Sequence, residues 1–395
     1  MRTKIFTTIV FSLFCSLLIA QNVVFLKNGG TGDGTSAESP VGSITTAYTI
    51  LGSAGGTIVI CDDFELAATF TEPAHTGLVT ITQVHNSVDY RGAGGTENTF
   101  YITSSGKRFV QSGPTKFENI NFHGFGTSTS YILFIANYFP ITMGEGIHCD
   151  GFLYTQLATS TSILGGYQSG QGTPVATNLD SHITIQSGKF LLVGFNRSIA
   201  GPYTGTAHID ISGGEIVSIF GGSASGTGGA LDLNITGGVF SGPVYASNYG
   251  GNMAAGSVNV TISGGNFTTC PTIVGGTNGA EATTTIDISD YNEEFNIMTI
   301  ISNFDTVIGG PTTGDNMLLD KDNAVIYAIG NTLYVKVSEK AEMSLYSLSG
   351  QKIITTALDK GLNSINFDSQ HKLYIVQLRY SGREGDSRAY KVMLP

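Results

Sequence analysis

The sequence predicts an all-β chain, a right-handed parallel β-helix followed by a small C-terminal antiparallel β-sandwich. Three observations carry this. Short apolar/polar words ending in paired glycines recur every 24 to 27 residues, a period typical of solenoids. Glycine is abundant, 53 of 395 residues, and only 12% of residues are charged, which disfavours long helices. From about Val325 the glycine rhythm gives way to closely spaced alternating strands.

The first element is a leader. Met1 to Ala20 places Arg2 and Lys4 ahead of an apolar run that ends on a small residue, the pattern of a secretory signal peptide spanning 1–20. Phe14 is too bulky for the small residue that precedes a lipidated cysteine, so Cys15 does not read as a lipid anchor. No other segment reaches the roughly 18 apolar residues of a membrane helix. The mature chain is therefore expected to be exported, without a transmembrane span. Cys61, Cys149 and Cys270 have neither metal-ligand spacing nor an even count, and are expected to be buried thiols.

A β-helix domain is expected over 21–324. Its N-terminal end carries one short-helix candidate near 39–51, with Pro40 early and Ser43 as N-cap, placed to cover the open end of the solenoid. The repeat aligns on Gly188, Gly214, Gly238 and Gly265, the last three each the second glycine of a pair and the first preceded by Ser187, with Tyr291 in the fifth copy. Five and three residues before each anchor stand Ile183 and Ile185, Ile209 and Ile211, Leu233 and Ile235, Val260 and Ile262, and Ile286 and Ile288. The residues between them are polar. Strict period-two alternation makes each word a strand with one wet face and one dry face. Such a strand cannot bury its apolar face alone, so equivalent strands must stack in parallel as successive coils. Phe190, Ile216, Phe240 and Phe267 extend the inner stack, whereas Glu293 at the matching place in the fifth copy predicts that the regular coil ends soon after it. Less regular words such as SIFGG and PVYAS predict a second sheet, and a parallel crossover predicts right-handedness.

About seven short strands over 325–395 predict the sandwich. Charge changes sign at the same place. Residues 325–395 hold nine Lys/Arg against six Asp/Glu, net +3, and residues 21–324 hold eight against twenty-four, net −16. The acidic larger part disfavours nucleic acid and other polyanions as partners.

Two stretches carry family resemblances. NGGTGDGTSAESPVGSITTAY followed by GGTIVICDD resembles the N-terminal part of secreted right-handed β-helix proteins of the pectate-lyase-like superfamily, over roughly Val24 to Leu66. EMSLYSLSGQKIITTALDKGLNSINFDSQHKLYIVQL and the final YKVMLP resemble the type A C-terminal sorting domain of type IX secretion cargo in Bacteroidota, with Lys372 standing where that family usually has glycine. The second resemblance implies delivery by the outer-membrane type IX machinery through 325–395, and secretion or attachment at the cell surface. A carbohydrate-binding sandwich is the alternative for this segment.

Chemistry is less legible. No GxxxxGK[ST] loop is present, and glycines that close a strand in every repeat do not make a dinucleotide fold. Six residues before each anchor stand His182, His208, Asp232, Asn259 and Thr285. Parallel stacking predicts that His182 and His208 lie on adjacent coils beside Asp210 and Asp232. These four are the candidates for acid/base or metal chemistry, set against an ordinary polar ladder. Asp62 and Asp63 look like paired carboxylates, but neighbours on a strand point to opposite faces. Lys107, Arg108, Lys116, Lys189 and Arg197 do not align on one row, against a uronate lyase. Asp33, in the Gly-rich opening, is the one candidate calcium ligand, set against loop stabilisation without metal; no other cofactor is expected. Tyr154, Tyr167, Tyr203, Tyr245 and Tyr249 are candidates for stacking on sugar rings, set against packing within their own loops. Two readings follow: a non-catalytic surface adhesin or glycan-contacting module, and alternatively a polysaccharide lyase or glycoside hydrolase working on the outer face of one sheet.

Overall fold

The computed structural model describes residues 22–92, 98–101, 107–123, 132–149, 163–166, 178–196, 205–223, 229–247, 256–276, 283–291, 297–309, 318–319, 324–329, 332–337, 339–347, 349–366, 373–380 and 387–393. The repeats form a parallel β-solenoid, as the alternation requires. One long sheet has eleven strands stacked in chain order: Val23–Leu26, Gly56–Ile60, Val79–Thr82, Thr115–Glu118, Ile141–Met143, Ser181–Ile185, Thr206–Ile211, Ala230–Ile235, Val258–Ile262, Thr284–Asp287 and Thr306–Ile308. A second parallel sheet alternates with it along the chain, from Phe70–Thr71 to Ile301–Ser302. A third, of four two-residue strands, joins Phe64–Glu65, Phe100–Tyr101, Asn121–Phe122 and His148–Cys149.

The interior is built from the rows read in the sequence. Ile183, Ile209, Leu233, Val260 and Ile286 are in register, and every one is at most 1% exposed. Phe190, Ile216, Phe240 and Phe267 lie inside as well, and the rings of Phe240 and Phe267 stack at 4.6 Å and 5°. Each such side chain contributes on the order of 1.5–3 kcal/mol through burial. In the earlier coils this lining is aromatic, with Phe109, Phe117, Phe122 and Phe134 in mutual contact.

The two glycines of each pair answer separate demands. The second has φ of +86°, +97° and +99° at Gly214, Gly238 and Gly265, and Gly188, which follows Ser187, has +101°, a conformation side-chain-bearing residues rarely adopt. The first lies against the backbone of the coil before it. A Cβ at Gly213, Gly237 or Gly264 would sit 2.1, 2.2 or 2.3 Å from the carbonyl oxygen of Gln186, Ser212 or Thr236. The pair is thus a structural rhythm. Tyr291 replaces the glycine in the last copy, donates its hydroxyl to Gly265 O at 3.1 Å and meets Phe267 edge-on. The coil ends soon after this copy, as Glu293 predicts: Thr306–Ile308 adds one last rung, placing Val307 beside Ile286.

At the N-terminal end, the helix Ile44–Leu51 begins at Ser43, whose Oγ accepts from Thr46 N at 3.1 Å. Its face of Ile44, Ala47, Tyr48 and Leu51 is buried in the solenoid core. At the other end stand two four-stranded antiparallel sheets. Leu318–Leu319, Val325–Ile329, Thr332–Val337 and Gly361–Asn366 form one; Lys352–Leu358, Ala341–Ser347, Leu373–Tyr380 and Ser387–Met393 form the other. Ile326, Leu333 and Val335 of the first share one apolar cluster with Met343, Leu345, Val376 and Leu378 of the second. The opposite face of Thr332–Val337 meets the solenoid: Tyr334 packs against its core, and Lys336 Nζ donates to Thr299 O at 2.6 Å. Cys61, Cys149 and Cys270 are free thiols. Cys61 is only half-buried, contrary to the expectation of three buried thiols. Burial pushes the Cys270 thiol up to about 11, against the backbone hydrogen bonds it makes, so it stays protonated.

Candidate functional site

The outward rows of the long sheet collect the candidate side chains. Strand pairing is continuous across Ser181–Ile185, Thr206–Ile211, Ala230–Ile235 and Val258–Ile262, with His182 opposite His208, His208 opposite Asp232, and Asp232 opposite Asn259. The neighbouring row runs Thr184, Asp210, Asn234 and Thr261. Identical positions on adjacent parallel strands lie about 4.8 Å apart. The two imidazoles therefore stack, at 4.6 Å and 6° from parallel.

These side chains engage one another. His208 Nδ1 stands 3.3 Å from Asp232 Oδ2, and Asp232 Oδ1 accepts from Asn259 Nδ2 at 2.9 Å. Asp210 Oδ1 accepts from Asn234 Nδ2 at 3.3 Å. Upstream, Asp180 accepts from Thr206 N at 2.7 Å, fixing the entry to the next coil. Burial, and then the charge of His208, lower the pKa of His182, with Asp180 and Asp210 acting in the opposite sense. The structure thus brings His182, His208, Asp210 and Asp232 onto one face, as the spacing predicts.

What this face can do follows from its partners. Asp232 faces Nδ1 of His208, and a neutral imidazole donating there would offer Nε2 as an acceptor, half of an acid/base arrangement. The next rungs offer an amide and a hydroxyl, Asn259 and Thr285. Among the described residues, no group of three or more His, Cys, Asp or Glu is placed to hold a metal ion. Lys116 pairs with Glu118, and Lys189 pairs with Glu215 at 2.9 Å, so neither presents an unbalanced cation on the wall.

Other candidates separate. Asp63 Oδ1 accepts from Thr99 N at 2.8 Å and Asp62 Oδ1 from Asp63 N at 2.9 Å, so both carboxylates bind backbone. Asp33 Oδ1 accepts from Thr35 N at 3.0 Å and Thr35 Oγ1 at 2.7 Å, and those bonds, the Thr35 hydroxyl first, lower its pKa. Tyr154, Tyr167, Tyr203 and Tyr249 lie outside the described residues. Tyr245 is half-buried in the second sheet, in register with Phe220, and the rings stack at 5.3 Å and 9°. Phe220 escapes the sequence reading because the strands of this sheet begin at uneven distances from the glycine anchor. Phe220 is six residues past Gly214, whereas Tyr245 is seven past Gly238.

Compared with protein-family models, curated proteins and solved structures, the chain matches none.

Proposed function

We propose that this chain is an exported, non-catalytic surface protein whose right-handed solenoid wall contacts glycans, in the manner of an adhesin. One observation carries the reading. The outward rows of the long sheet run in unbroken register and their polar groups partner one another, from the His182–His208 stack through Asp232 to Asn259. A self-partnered, repetitive wall is suited to extended contact with a repetitive ligand. The parallel rings of Phe220 and Tyr245 supply an aromatic surface of the kind that stacks on sugars. The leader at 1–20, and the resemblance of 325–395 to a sorting sandwich of type IX secretion cargo, support delivery to the cell surface. The likeness of the opening segment to pectate-lyase-like β-helices supports right-handedness. No cofactor enters this reading: the bonds from Thr35 to Asp33 support a loop that needs no calcium.

The His208–Asp232 pair favours a second reading, hydrolysis or lysis of a polysaccharide with His208 as base. Retention of the full chain on immobilised neutral and acidic glycans tests the first. The expected result is retention on neutral glycans, weakened severalfold, up to about tenfold, by Tyr245→Ala or Phe220→Ala, as loss of a stacking ring predicts. Retention on none, or retention indifferent to both substitutions, overturns glycan contact through this surface.

A further inference from the structure

Beneath the capping helix, the apolar interior of the first coils encloses a buried carboxylate and a buried imidazole. Glu72 and His75 are 3% and 5% exposed. Thr115 occupies an inward row between Val79 and Ile141. Glu72 Oε1 accepts from the hydroxyl of Tyr48, on the capping helix, and from Thr115 Oγ1 at 2.6 Å. Glu72 Oε2 accepts from Ser112 N at 3.0 Å and faces His75 Nε2 at 3.0 Å. His75 Nδ1 lies 2.8 Å from Gly77 O. One carboxylate thereby joins the helix, the 72–77 segment and the turn that leads into Thr115–Glu118.

The donors and acceptors fix the proton count. Both nitrogens of His75 face oxygen atoms, and a neutral imidazole owns one N–H. Without a further proton, one ring lone pair would point at an oxygen in a dry interior, an arrangement that costs as an unmade buried hydrogen bond does. The extra proton can rest on the imidazole, facing a carboxylate, or on Glu72, donating to Nε2; the pair holds the same number either way. The titratable groups facing one another here are Tyr48 from the helix and Glu72 and His75 from their segment. Gln111, Ser112, Gly113 and Thr115 bring none, and Gly77 and Pro140 bring carbonyls. Burial lowers the pKa of His75, but the bonds to Glu72 and Gly77 and the charge of Glu72 outweigh it, and the net direction is up. Burial and then the charge of Glu72 push Tyr48 well up, so its hydroxyl remains a donor.

We propose that Tyr48, Glu72 and His75 form a one-proton latch holding the capping helix on the first coils, and that loss of this proton as the pH rises frees the helix. The sign follows from linkage: stability from a His held above its ordinary value is complete below about 6.5 and is lost as the pH rises through its folded midpoint.

Hydrogen exchange of the full chain, corrected for the intrinsic rate at each pH, tests the latch from about pH 6 to about pH 10. Amides of Ile44–Leu51 are expected to lose up to about tenfold in protection per pH unit between about 6.5 and the folded midpoint and to level off above it, while Val258–Ile262 keeps its own. His75→Gln should abolish that slope. Cap protection that stays flat with pH in the unsubstituted chain, or an unchanged slope in His75→Gln, overturns the proposal. Should His75→Gln fail to fold, the ring-carbon titration of His75 in the unsubstituted chain decides. A midpoint above about 6.5 coinciding with the cap transition is expected, and one at or below it overturns the latch.

Discussion

The imidazoles of His182 and His208 stack at 4.6 Å because one residue type occupies one outward position on two adjacent coils in register. Protonating both would place like charges face to face. His182, lowered by burial and by His208, is expected to titrate below an exposed imidazole, and to move up in His208→Asn. For a His lowered in the folded state, stability is complete above about 6.5 and is lost as the pH falls through the folded midpoint. Proton titration of the His182 ring by NMR checks this; an unchanged midpoint in His208→Asn contradicts the coupling.

The glycine pairs predict two grades of damage. Gly214→Ala forces a side chain into φ +86° and is expected to cost about 1–3 kcal/mol. Gly213→Ala, whose Cβ would meet Gln186 O at 2.1 Å, should cost more, because backbone must move. Gly350→Asn is the control: its φ is +82° but nothing lies within 4 Å of an added Cβ, and Asn tolerates this region. Denaturant midpoints should fall furthest for Gly213→Ala, less for Gly214→Ala and least for Gly350→Asn.

Inner and outer rows should respond differently. Phe267→Ala removes a ring fully buried against Phe240 and is expected to cost about 3–5 kcal/mol. Asn259→Ala removes an exposed hydrogen bond to Asp232 and should cost no more than about 1 kcal/mol. Equal losses in equilibrium unfolding would contradict the assignment of faces.

Lys336 links the C-terminal sheets to the solenoid through Thr299 O, and burial lowers its pKa. Lys336→Ala removes the link while leaving Leu333 and Val335 in their cluster. Limited proteolysis is expected to release the C-terminal segment severalfold faster, with its own core intact; no change in the release rate would contradict a role for this joint.

The long sheet was legible because its signal is repeated: an aliphatic residue at every second place, five times over, leaves one stacking solution. The helix was legible from its N-cap Ser43; Pro40 lies outside it, next to Val41, which bridges to Leu26 and Thr31. The third sheet was not, since two-residue strands such as Phe64–Glu65 are too short to show a period. The last rung, Thr306–Ile308, follows a copy that has lost its glycine, so the repeat gives no register for it. Of the site, the His182–His208 row was readable because its members share one offset from the anchor. Phe220 was not, because the second sheet does not keep that offset. Glu72, His75 and Thr115 were invisible because Tyr48 and Thr115 lie 24 and 43 residues from Glu72 and no local pattern joins them.

The most direct test of a contact surface without catalysis is a depolymerisation assay on the glycans that the full chain retains. The expected result is retention with no new reducing or unsaturated ends, in the unsubstituted chain and in His208→Ala alike. Release of such ends by the unsubstituted chain, abolished by His208→Ala, would contradict the account and make the His208–Asp232 pair an active site.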